Sequence, residues 1–141
     1  MKTLYILILV LVITRPASTV AQQSISGSWQ VDIQATINNL SNAGKIRYND
    51  IPAEAKEAMR QSFGSRKFTF QEDGTMLMHV AKRNEPAKGT WAFKQGSKDK
   101  LIITIAGQPN EMEVVQLTPT VLVLELGDTG GVFEKLYLDR L

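Results

Sequence analysis

A chain of 141 residues is a usual size for one domain, and sixteen basic against fourteen acidic side chains give it a formal charge of only +2. That balance leaves no basic footprint for nucleic acid, and the absence of cysteine excludes disulfide staples, thiolate metal sites and thiol nucleophiles. The fold must be held together by its apolar core.

Lys2 precedes an unbroken apolar run from Leu4 to Ile13, and the more polar Thr14 to Ala21 follows. A basic start, an apolar middle and small residues near a cleavage point make a secretory signal peptide. The run has ten residues, and a membrane-crossing helix takes roughly 20. Residues 1–21 are therefore read as a signal peptide, and residues 22–141 as an exported domain with no stable membrane anchor after cleavage. Loss of Lys2 and Arg15 leaves fourteen basic residues against fourteen acidic ones.

Ser28 to Ala35 alternates polar and apolar residues and predicts a first strand with Trp29, Val31 and Ile33 on one face. Residues 36–49 are rich in Asn, Ser and Gly without a period and read as irregular. Asp50 and Pro52 supply helix-start chemistry for one short helix from Pro52 to Ser62, which Gly64 can end. Ile51, Ala55, Met59 and Phe63 form its narrow apolar stripe.

Seven short runs with strand character follow: 66–71, 75–82, 88–94, 100–105, 111–117, 120–126 and 132–139. Each is bounded by Gly, Pro, Asn or Asp turn chemistry, and the connections are too short for parallel crossovers. The expected fold class is all-β: an eight-stranded antiparallel up-and-down barrel with one helix between strands 1 and 2, preferred to a sandwich because closure removes exposed edges.

Alternation places Phe68, Phe70, Met76, Met78, Trp91 and Phe93 on the inner face. Each contributes about 1.5 to 3 kcal/mol if fully buried. The same side chains, with Met59 from the helix, are the candidate lining of a ligand cavity, since methionine adapts to varied apolar shapes. The run from Thr120 to Leu126 is apolar on both faces. Val121 and Val123 are therefore expected to be covered by the helix or by self-association with a second chain.

The single histidine, His79, falls on the outward face of its strand and cannot make a metal site alone. Serine chemistry would need that histidine as base, and no Gly-x-Ser-x-Gly turn exists. Glu111 and Glu113 fall where solvated residues belong, which leaves a carboxylate at the barrel mouth as a weak third possibility. No catalytic residue, metal or cofactor is expected, and the chain is not read as an enzyme.

Several motifs resemble, in order, the bacterial lipocalin-like domain family: Gly27-Ser28-Trp29, Phe68 to Thr75, Gly89 to Phe93, Leu101 to Ile103, Val114 to Leu124 and Tyr137 to Arg140. The resemblance covers Gly27 to Arg140 except the segment from Thr36 to Gly64. It implies a lipocalin-like barrel, a bacterial source with periplasmic or secreted location, and a small hydrophobic ligand. In lipocalins generally the tryptophan of Gly-x-Trp stacks on a late arginine, which implies a closure pair of Trp29 and Arg140, worth ~0.5 to 2 kcal/mol as a cation over an indole face. The expected function is binding of a small apolar ligand in the barrel. The alternative is a structural or protein-interaction domain with a filled core.

Overall fold

The computed structural model describes residues 24–127 and 131–141. The signal peptide read over residues 1–21 lies outside the described residues. The first strand, β1 (Gly27–Val31), is shorter than its alternation suggests. Asp32 takes an extended backbone, its carboxylate accepts from Ala35 N at 2.9 Å, and α1 (Ile33–Asn38) begins. Ile33 is thus the first residue of a helix rather than the end of a strand.

The stretch expected to be irregular holds a further helix, α2 (Asn42–Asp50), started by Ser41 Oγ accepting from Gly44 N at 3.0 Å. Asp50 closes α2 instead of capping the next helix. Pro52 stands at the start of that helix, α3 (Ala53–Gly64), whose last residue is the expected Gly64. Three helices therefore join the first two strands where one was expected. Two of the three are nucleated by single side-chain caps, which hydrophobic periodicity does not report.

The remaining strands are β2 (Lys67–Phe70), β3 (Thr75–His79), β4 (Ala87–Phe93), β5 (Lys100–Ile105), β6 (Gln108–Leu117), β7 (Val121–Glu125) and β8 (Lys135–Arg140). Each pairs antiparallel with its sequence neighbour, and β1 pairs with β8, so the sheet closes into an eight-stranded up-and-down barrel. β6 starts earlier than its apolar pattern suggests because Ala106 and Gly107 alone make the hairpin turn, both with positive φ. A bulge between Val114 and Gln116 shifts the register of β6 and leaves Val115 exposed.

Register brings Trp29 opposite Phe68, Phe70 opposite Met76, Trp91 opposite Ile103 and Leu122 opposite Leu138. These residues belong to one interior cluster, with Trp29, Met76, Leu101, Leu122, Leu124 and Leu138 fully enclosed. Val123 points the other way yet is 2% exposed within the single chain, and Val121 is half-buried. α1 packs outside on the neighbouring strand β8, where Thr36 Oγ1 accepts from Tyr137 N at 3.1 Å.

At one end of the barrel the first and last strands are bolted together. The Trp29 indole N–H donates to Ile25 O at 2.7 Å, and the Arg140 guanidinium lies 4.2 Å from the Trp29 ring centroid. The same guanidinium donates to the carbonyls of Ser24, Ser26 and Pro119 at 2.9, 2.9 and 2.7 Å. Gly27 has φ 124°, and a Cβ there would meet Arg140 Nη1 at 2.6 Å, so this position takes glycine on both counts.

Candidate functional site

The opposite end, where α3 returns the chain to β2, is open. A cavity of about 570 Å³ enters the barrel here. Its walls are inward strand residues: Phe68 of β2, Met78 of β3, Ile103 and Ile105 of β5, Met112 of β6 and Leu136 of β8. Pro109, Asn110, Glu111, Leu126 and Gly127 complete its lining from β6 and from the residues following β7, and Phe63 of α3 with Arg66 complete it from the helical side. The volume lies within the ~300 to 1,000 Å³ typical of small-molecule sites.

Arg66 is the one cation in this lining. Its backbone is fixed, with N–H donating to Phe63 O at 3.0 Å and its carbonyl accepting from Val31 N at 3.0 Å. Its guanidinium carbon lies 3.9 Å from the Phe63 ring centroid, and Phe63 in turn meets Phe133 edge-on at 4.9 Å. The Arg66 Nε is buried and has no hydrogen-bond partner. None of the three ion pairs among the described residues involves Arg66. Burial lowers its pKa from the ordinary arginine value, although a guanidinium keeps its charge at any physiological pH. The one acidic member of the lining, Glu111, is already engaged by Lys94 Nζ at 3.1 Å.

No family model and no curated protein sequence matches the chain. Among solved structures it is similar to a DUF4847 family protein from Bacteroides vulgatus ATCC 8482, at 16% identity and a TM-score of 0.47 over 82% of this chain and 92% of that one.

The residues read from the sequence as a lining divide among four places. Phe68 and Met78 line the mouth cavity. Phe70 and Met76 are packed core at 1% and 0% exposure. Trp91 and Phe93 line a second cavity of about 490 Å³ at the Trp29 end, together with Ser24, Ile25, Lys98, Val114 and Leu117. Phe93 is half open to solvent there, while the Trp91 indole N–H is held by Gln71 O at 2.8 Å. Met59 stands half-buried on α3, one turn before Phe63, outside both linings.

His79 is exposed on β3 opposite Lys67, and Glu113 is paired with Lys100 Nζ at 2.5 Å on the outer surface. Among the described residues no cluster of three or more His, Asp or Glu side chains is placed to hold a metal.

Arg66 was not among the sequence candidates, although the signal for it was present. Residues 66, 68 and 70 share one parity, so the alternation that turns Phe68 and Phe70 inward turns Arg66 inward at the mouth. A cation on an otherwise apolar face is the feature to look for.

Proposed function

We propose that this chain is an exported, lipocalin-like barrel that binds a small apolar molecule at its mouth and catalyses no reaction. The observation that carries the reading is the 570 Å³ cavity, walled by Phe68, Met78, Ile103, Ile105 and Met112 in a barrel whose other end is bolted by Trp29 and Arg140. A filled barrel would pack these positions against one another. Phe68 and Ile103 are enclosed at the base of the cavity, whereas Met78, Ile105 and Met112 stay only half-buried. Export is supported by the apolar run from Leu4 to Ile13 behind Lys2. α3, which has no buried residue and contributes Phe63 to the wall, is suited to move as the ligand enters.

The test is binding of the neutral fluorescent probe N-phenyl-1-naphthylamine to residues 22–141, with Ile105→Trp as the variant that fills the mouth. Saturable binding by the parent and at least about a tenfold loss in the variant is the expected outcome. A parent protein that fails to bind the probe would shift the reading to a structural or interaction domain.

A further inference from the structure

We infer that the ligand of this cavity is an amphipathic monoanion, whose carboxylate or equivalent planar acceptor is met by Arg66 while its apolar tail lies along Phe68, Met78 and Ile103. The inference rests on the binding reading above and narrows it to a chemical class.

A guanidinium on an apolar wall is costly to desolvate and is retained where something compensates it. Beyond the Phe63 ring, nothing in the described chain does so: Arg66 is half-buried, its Nε is enclosed without an acceptor, and no carboxylate pairs with the side chain. The Phe63 ring centroid lies 3.9 Å from the guanidinium carbon, and with Nε enclosed the two terminal Nη groups are the donors left to a ligand. A planar fork of N–H donors matches a two-oxygen acceptor better than it matches a lone hydroxyl or carbonyl.

The charge of the site limits the ligand to one negative charge. Arg66 is the sole cation of the lining, and Glu111 is on the rim. With Glu111 already paired to Lys94, Arg66 alone is left to neutralise the ligand, so a monoanion is matched and a dianion keeps one uncompensated charge. The apolar walls beyond exclude a small, fully polar anion, which would leave them empty.

Titrations of the folded protein with dodecanoate, dodecan-1-ol and dodecyl phosphate, each followed by displacement of N-phenyl-1-naphthylamine, test the inference. Dodecanoate is expected to bind about tenfold tighter than the alcohol, and tighter than the phosphate at a pH where the phosphate is doubly charged. Arg66→Gln is expected to erase the preference for the acid over the alcohol, read as the ratio of the two affinities in the same variant. The acid and alcohol comparison on the parent needs no variant, and Arg66→Lys, which keeps the charge and loses the fork, gives an intermediate preference. Equal affinity for acid and alcohol in the parent, or tighter binding of the phosphate, overturns the inference and leaves the apolar-binding reading standing. No displacement because the neutral probe never bound removes both.

Discussion

Gly27 and Arg140 are coupled through one short approach. At Gly27 two penalties coincide for any other residue, a φ of 124° and a Cβ placed 2.6 Å from Arg140 Nη1. The first belongs to the backbone alone and the second exists only while the arginine is present. Gly27→Ala should cost about 2 to 3 kcal/mol. Arg140→Ala, which removes the cover over Trp29 and three charged hydrogen bonds to carbonyls, should cost about 2 to 3 kcal/mol. The double variant should cost at least about 0.5 kcal/mol less than the sum of the two, because the steric part vanishes with the guanidinium. Urea unfolding midpoints of the four proteins in this cycle give the coupling. Strict additivity would show that the close approach is relieved at no cost by movement of the arginine.

At the scale of elements, the hairpin joining β5 to β6 turns on Ala106 and Gly107, with φ of 51° and 75°. Glycine adopts that region freely and alanine does so at a cost of roughly 1 to 2 kcal/mol, whereas asparagine is at home there. Ala106→Asn should therefore raise stability by about 0.5 to 1 kcal/mol, read as a higher thermal midpoint with unchanged ligand-probe binding. The same turn shows why some elements were legible and others were not. The strands carry their period in side chains every second residue, so seven of them were placed within a few positions, and closure followed from their number and short connections. α1 and α2 carry no such period. They start where Asp32 and Ser41 turn back onto backbone N–H groups, and one hydrogen bond each decides what a whole segment does. The mouth was half legible for the same reason: Phe68 and Met78 follow alternation, while the role of Arg66 depends on α3 delivering Phe63 beneath it.

Across the whole molecule the two ends of the barrel differ in how they are held. At one end, Trp29, Ile25 and Arg140 join the interior to both β1 and β8 through buried contacts. At the other, α3 lies beside an open cavity with none of its residues buried. Local opening should follow that gradient. Amide hydrogen exchange is expected to be slowest in β1, β7 and β8 and fastest in α3, with saturating dodecanoate slowing α3 more than any strand. Equal protection of α3 and β8 in the free protein would show that the helix is a fixed part of the barrel.

β1 is hydrogen-bonded on one side to β2 and on the other to β8, the last strand of the described chain. A polypeptide emerging from the ribosome amino end first therefore leaves β1 with an unfilled edge, and Trp29 uncovered, until residues 135–140 have also been made. Up to that moment closure is unattainable, so the barrel is completed after synthesis by its last strand and not during synthesis by its first.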